Sequence, residues 1–158
     1  MVFPHMKTYS KQRVALIAED EAYTSGILQF HLRKRGYRTL VAKDGIAALE
    51  ILFATQPDLL ILDSMLPNLH GYEICALIKE EPETCHIPIM ILMPRPGIED
   101  ETGDFILGAD DYLVKPFDVR EFLARVAVLE EQSSFEERAL ARRRNLKHEN
   151  PQLVCDEE

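Results

Sequence analysis

Several things are scarce in this chain, and each scarcity removes a class of explanation. The three cysteines, Cys75, Cys85 and Cys155, have an odd count and no C-x-x-C spacing. Reduced thiols are therefore expected rather than a disulfide framework or a zinc site. No apolar run approaches the roughly 18 residues that span a bilayer, and the opening MVFPHMKTYSKQR lacks a hydrophobic signal core. A cytoplasmic protein with no membrane partner is the expectation. Basic charge is also short: 18 Lys and Arg stand against 27 Asp and Glu, a formal net charge of −9. That balance disfavours non-specific nucleic-acid binding by the chain as a whole. No P-loop or dinucleotide-type glycine turn occurs. His5, His31, His70, His86 and His148 are scattered without metal-ligand spacing.

What is present is a regular alternation, in a chain of 158 residues that suffices for one sizeable core. RVALIA (13–18) reads as a strand. The stretch 22–35 reads as a helix with Tyr23, Ile27 and Phe30 on one side and Leu28 and Leu32 adjacent, stopped by Gly36. YRTLVA (37–42) is a second strand. Asp44 can cap a helix over 45–55 with a stripe of Ala48, Leu49, Leu52 and Phe53. After Pro57, LLILD (59–63) is a third strand, and a helix over 71–80 puts Ile74, Leu77 and Ile78 on one face. IPIMILM (87–93) is a fourth strand. A weaker acidic helix (98–107) leads through Gly108 to DYLVK (111–115), and a last helix starts at Asp118 with Val119, Phe122, Leu123 and Val126. Strands alternating with helices, without hairpin signals, imply crossover connections and a parallel sheet covered on both faces: a doubly wound α/β fold. Such sheets hold ligands at the carboxyl ends of their strands.

Chemistry gathers at those ends. The first strand runs into Glu19-Asp20-Glu21, the third ends in Asp63, and the fifth ends in Lys115-Pro116. Alone, each is most often a cap or turn residue. Together, Glu19, Asp20 and Asp63 would share one rim, where two carboxylates about 4 Å apart repel by about 4 kcal/mol at an effective dielectric of 20. That repulsion calls for a cation, and hard oxygen ligands favour Mg²⁺. A carboxylate, a divalent ion and a lysine make a site for receiving a phosphoryl group.

At this point the sequence resembles the receiver domain of two-component response regulators over residues 11–131. LIAEDEAY resembles that family's acidic pair. PDLLILDSMLPNLHGYE resembles its phosphoacceptor stretch with D-x-x-x-P-x-x-x-G spacing, and GADDYLVKPF its fifth-strand signature. The resemblance implies a flavodoxin-like receiver fold, a five-stranded sheet in the order 2-1-3-4-5. It makes Asp63 the phosphoacceptor and Asp20 a direct Mg²⁺ ligand. Glu19 would act through a bound water, and the Met65 backbone carbonyl would be a further ligand. Lys115 would pair with the phosphoryl group, and its bond to Pro116 would be cis. Tyr112 would be the aromatic switch on the face made by the fourth helix, fifth strand and fifth helix. The implied partners are a histidine kinase or phosphotransfer protein, a downstream protein or effector domain on that face, and a second copy in a homodimer. Nucleic acid is expected only through an effector domain outside this sequence.

One position breaks the family pattern. Where a Ser or Thr and a small residue are expected at the end of the fourth strand, Met93 and Pro94 stand. Methionine has no O–H and proline no N–H to donate. Hydrogen bonds to charged groups contribute about 1.5–3 kcal/mol each, so about 3–6 kcal/mol of phosphate-specific interaction is missing. Driving a switch from 1:99 to 99:1 takes about 5.5 kcal/mol. The expectation is an atypical receiver with weakened switching; the alternative is a phosphorylation-independent pseudo-receiver, a protein-interaction module. A haloacid-dehalogenase-like phosphatase ranks last, because its second Asp would fall where Met65 stands.

Residues 1–10 read as an N-terminal extension and 132–158 as a C-terminal helical extension, or a linker and tail. Ser134-Phe135-Glu136-Glu137 fits a capping box, so a second helix could begin there; alternatively the preceding helix runs unbroken to about Lys147. Arg142-Arg143-Arg144 reads as a solvated or linker face.

Overall fold

In the structure, a computed structural model that describes residues 11–94 and 108–149, five strands pair in parallel in the order β2-β1-β3-β4-β5. They are β1 (Val14–Ala18), β2 (Arg38–Ala42), β3 (Leu59–Asp63), β4 (Ile89–Met93) and β5 (Asp111–Val114). Helices α1 (Ala22–Lys34), α2 (Gly45–Thr55) and α3 (Gly71–Glu80) follow β1, β2 and β3, and α4 (Val119–Glu149) follows β5. The described residues fall into two units that meet in sequence between Phe117 and Asp118. No described helix is long and apolar enough to cross a membrane.

The central position of β3 explains its unbroken apolar run, since all five of its residues are buried. Its neighbours hold it in one register, Leu16 beside Leu60 and Asp63 beside Leu92. Asp58 locks that register just before the strand: its carboxylate accepts the Val14 N–H at 2.7 Å, and its own N–H donates to the Val14 carbonyl at 2.7 Å. Alternate residues face opposite sides of a strand. Leu16, Ala18, Leu60, Leu62, Ile89 and Ile91 therefore share one face, packed with Ala48 and Leu52 of α2 and Ile74, Cys75 and Ile78 of α3. Full burial of one such side chain contributes about 1.5–3 kcal/mol, against about 1 kcal/mol net for a hydrogen bond. The apolar layer thus sets where the strand ends lie.

The helices form where the sequence pattern places them, yet rotated from the expected faces. In α1 the buried stripe is Ser25, Leu28 and Leu32, while Tyr23 and Phe30 are exposed. Phe30 instead lies under the Lys34 ammonium, 4.5 Å from its ring centre, and meets His31 edge-on. In α3, Cys75 rather than Leu77 joins Ile74 and Ile78 in the core, and in α2 Phe53 is exposed beside buried Ala48 and Leu52. Aromatic bulk outside the i, i+3, i+7 stripe misled the pattern, whereas small Ser25 and Cys75 fit a close approach. Cys75 and Cys85 are both free thiols, and burial pushes the Cys75 thiol up to about 12. The fourth strand starts at Ile89, not Ile87. The acidic helix expected over 98–107 lies outside the described residues.

The C-terminal alternatives resolve in favour of one unbroken helix, α4, over 31 residues. Asp118 starts it, accepting the Arg120 N–H on its side chain at 2.6 Å and the Phe122 N–H on its carbonyl at 3.0 Å. The S-x-x-E pattern at Ser134 is not a helix start, because the preceding turn is helical and leaves no orphan N–H to cap. Phe122, Val126 and Leu129 are the helix's buried stripe.

Asp44 does cap α2, its carboxylate accepting the Ala47 N–H at 2.8 Å. Replacing it with Ala is expected to lower unfolding stability by about 1 kcal/mol, read from urea midpoints, while Asn at the same position retains most of it.

Candidate functional site

The carboxyl edge of the sheet collects the charged residues because β1, β3 and β5 all end there. Glu19 follows β1 directly. Its N–H donates to the Ala42 carbonyl at 3.0 Å, which fixes the residue one step beyond the strand, and its side chain is left 1% exposed. One carboxylate oxygen of Glu19 accepts the Glu21 N–H at 3.1 Å, and the other accepts from the Lys115 ammonium at 2.7 Å. Lys115 reaches Asp63 as well, at 3.2 Å. The second oxygen of Asp63 accepts the Met65 N–H at 3.0 Å, so the loop after β3 curls over the carboxylate that ends the strand. Lys115 is itself anchored through its N–H to the Met93 carbonyl at 2.8 Å, and its bond to Pro116 is cis.

Glu19, Asp20 and Asp63 each offer an oxygen within 4.8 Å of the others. Glu19 and Asp63 are buried and Asp20 is exposed, so the cluster opens to solvent on one side. One ammonium pairs two of the three carboxylates, which leaves formal negative charge in the cluster uncompensated. Charge and hard oxygen donors together fit a small divalent cation that keeps some of its waters. Burial raises the Glu19 carboxyl above its ordinary value, against the Lys115 hydrogen bond that lowers it, and the Asp63 charge adds to the rise. For Lys115, burial pulls the ammonium down. The hydrogen bond to Glu19 and the charges of Asp63 and Glu19 outweigh it, and the net direction is up.

The remaining sequence-marked residues lie at varying distances from this cluster. Met93 ends β4 half-buried against the apolar layer, and Pro94 follows it, also half-buried. Both stand at the carboxyl end of β4, and neither side chain carries a hydroxyl. Tyr112 sits in β5 beside Ile91 and packs against the apolar layer. Burial raises its phenol, with the Cys75 and Asp110 charges adding. It is therefore part of the core side and not of the acidic cluster.

Sequence reasoning missed the residues that hold the loop after Asp63 in place. Gly45, the first residue of α2, donates its N–H to the Pro67 carbonyl at 3.1 Å. A Cβ there would come within 2.5 Å of the Leu69 Cβ. Gly71 is similarly tight, since a Cβ would lie 3.0 Å from the Ser64 Cα. The glycine at 71 had a signal in its spacing from Asp63; Gly45 had none, being remote in sequence from the loop it touches. At the opposite edge of the sheet, Asp110 accepts the Ile89 N–H at 2.8 Å and the Lys79 ammonium at 3.1 Å, which sets the start of β4 against β5.

The family model for the response regulator receiver domain matches residues 15–127. The DNA-binding dual master transcriptional regulator RpaA of Synechocystis is 40% identical over 114 residues, which are 72% of this chain and 47% of that protein. The chain thus spans about half the length of that curated relative. Among solved structures, a protein described as a response regulator of Chloroflexus aurantiacus superposes with a TM-score of 0.69 at 34% identity, covering 75% of this chain and 98% of that one. The signal receiver domain of a signal transduction histidine kinase from Syntrophus aciditrophicus gives 0.68 at 31% identity, covering 74% and 89%.

Lys115→Met leaves two buried carboxylates without their counter-charge, which is expected to cost about 3 kcal/mol of stability near pH 7 in the presence of a chelator. The pH dependence has a definite sign. Glu19 binds its proton more tightly folded than unfolded, so its contribution to stability falls as pH rises through the window above 4.5. Removing the ammonium raises the Glu19 carboxyl further and widens that window. The variant should therefore regain part of its loss between about pH 7 and pH 5, whereas an equal deficit at both would contradict the assigned pairing.

Proposed function

The chain belongs to the response regulator receiver family, and on that premise we propose that Asp63 accepts a phosphoryl group from a histidine kinase or a phosphotransfer protein. One observation carries the reading: a lysine ammonium lies 2.7 Å from Glu19 and 3.2 Å from Asp63 at the sheet's carboxyl edge. An oxygen of Asp63 attacks the phosphorus of the donor's phosphohistidine. A P–O bond forms as the P–N bond breaks, and the imidazole nitrogen keeps the electron pair. Lys115 moves its hydrogen bond from the carboxylate to an incoming phosphoryl oxygen, neutralising charge that the buried acids would otherwise repel. Bound Mg²⁺ would supply electrostatic stabilisation of the phosphoryl oxygens, held by Asp20, Asp63 and the Met65 carbonyl, with Glu19 reaching it through a water. The reaction stays on the chain's own Asp63, so the domain acts as a cytoplasmic signalling switch and not as a turnover enzyme. Residues 11–131 form the switch, 1–10 an N-terminal extension and 132–158 a C-terminal helical extension, or a linker and tail. The output reaches an effector domain or partner protein through the face that carries Tyr112.

Met93 and Pro94 favour a second reading, a receiver that docks its partner without phosphate. Neither residue offers a donor at the mouth, and the Met93 carbonyl is already engaged by the Lys115 N–H. A phosphoryl group there meets lysine and metal but not the usual hydroxyl, so the free energy available to pull this loop inward is reduced.

Incubation with acetyl phosphate and Mg²⁺, followed by intact mass, separates the two. One added phosphate that Asp63→Asn abolishes supports the switch, and no adduct at any Mg²⁺ concentration supports the docking module. Met93→Thr with Pro94→Ala restores a hydroxyl and an N–H, and should tighten beryllofluoride binding by about tenfold or more. Fluorine NMR titration against the parent chain measures this; unchanged affinity would refute the account of the missing donors.

A further inference from the structure

Two aspartates close the amino ends of two different strand pairs in the same way. Asp58 accepts the Val14 N–H on its carboxylate and returns its own N–H to the Val14 carbonyl, each at 2.7 Å. Asp110 does the same to Ile89, accepting its N–H at 2.8 Å and donating to its carbonyl at 2.9 Å. The chemistry is equal and the surroundings are not. Asp58 joins β1 and β3, each of which has a hydrogen-bonded strand on both sides. Asp110 joins β4 to β5, which lies at the edge of the sheet and pairs with β4 alone. Of the four residues of β5 only Leu113 is fully buried, whereas all five of β3 are. Little buried apolar surface is left to specify the register of β5, so the polar clamp carries a larger share of that task there.

Lys79 braces this clamp from α3. Its ammonium donates to the Asp110 carboxylate at 3.1 Å, to the Cys85 carbonyl at 3.1 Å and to the Ile87 carbonyl at 3.0 Å. Gly108 leaves room for the lysine stem, since a Cβ there would lie 3.1 Å from the Lys79 Cγ. One short strand later the chain reaches Lys115, whose N–H is bonded to the Met93 carbonyl and whose ammonium meets Glu19 and Asp63.

We propose that Asp110, braced by Lys79, is a positioning residue for Lys115. It fixes where β5 begins on β4, and the four-residue strand carries that placement to the ammonium at the opposite edge. Asp58 has no such role, because without it β1 is still held by β2, and β3 by β4. The consequence for phosphoryl binding rests on the reading of Asp63 as the acceptor; the placement of Lys115 does not.

The test compares the full chain with Asp110→Ala, Asp110→Asn, Lys79→Met and Asp58→Ala. Amide hydrogen exchange at Lys115 is read relative to the Ser64 amide, which bonds the Leu92 carbonyl in an interior strand pair. Beryllofluoride affinity at saturating Mg²⁺ is read by fluorine NMR, and stability by urea midpoints. Asp110→Ala and Asp58→Ala should both lose stability. Only Asp110→Ala should speed the relative exchange of Lys115 and weaken beryllofluoride, each by about tenfold. Lys79→Met should move both in the same direction by less. Asp110→Asn, whose amide oxygen still accepts the Ile89 N–H, should recover most of the loss. Unchanged relative exchange at Lys115 in Asp110→Ala would overturn the proposal, as would an Asp58→Ala variant that matches it in both readouts. If Asp110→Ala does not fold, Lys79→Met decides by the same measurements, and a parental result there overturns the proposal. A parent chain that takes neither beryllofluoride nor phosphate, while Lys115 exchange still responds to Asp110→Ala, would remove the phosphoryl-acceptor reading and uphold the positioning of Lys115.

Discussion

A single ammonium group, held between two carboxylates that the fold has taken out of water, is the constraint on which the edge of this molecule is organised. Separating Glu19 and Asp63 from solvent is costly for each, and placing them together adds repulsion. Lys115 offsets both terms only because β5 brings it to the same edge, and β5 is placed by its pairing with β4 through Ile91 and Leu92. The pocket is therefore a property of the whole sheet: the apolar register decides whether two carboxylates and a lysine, 96 residues apart at their extremes, can meet.

The same arrangement is what supports the proposed phosphoryl transfer. Lysine occupies the position between the acids as an internal counter-ion, partly buried and with its own backbone N–H held by the neighbouring strand. On the proposed reading, an arriving phosphoryl group would meet a donor that needs little reorganisation to turn toward it. On the same reading Met93 and Pro94 would add bulk where hydrogen-bond donors could couple the phosphoryl charge to the position of the chain.

Much of the fold could be read in the residues themselves, since a fully buried central strand has to be apolar throughout and a strand-end acid is conspicuous beside it. The acidic triad and Lys115 were legible for that reason, each sitting one or two steps past a hydrophobic run. The helix faces were less so. Tyr23, Ile27 and Phe30 have helical spacing and apolar character, yet α1 turns small Ser25 and slender Leu28 and Leu32 inward, because close packing against β1 and β2 rewards fit over hydrophobicity. The unbroken course of α4 was open in the sequence, for a capping pattern states only that a helix could begin at a place. Contacts between distant segments, such as Asp58 with Val14 or Asp110 with Lys79 and Ile89, had no sequence signal: a polar residue near a strand start looks the same whether it faces solvent or closes a ladder.

Gly45 carries a consequence of a different kind. Its amide holds the Pro67 carbonyl, and its missing side chain makes room for Leu69. The opening turn of α2 and the segment that follows the acidic strand end are thus moulded against each other with no slack. Neither can drift independently through inheritance: a methyl group gained at one is acceptable only if volume is surrendered at the other. Related chains should consequently vary at these two places in concert, although one opens a helix and the other lies in the loop after the acidic end of β3.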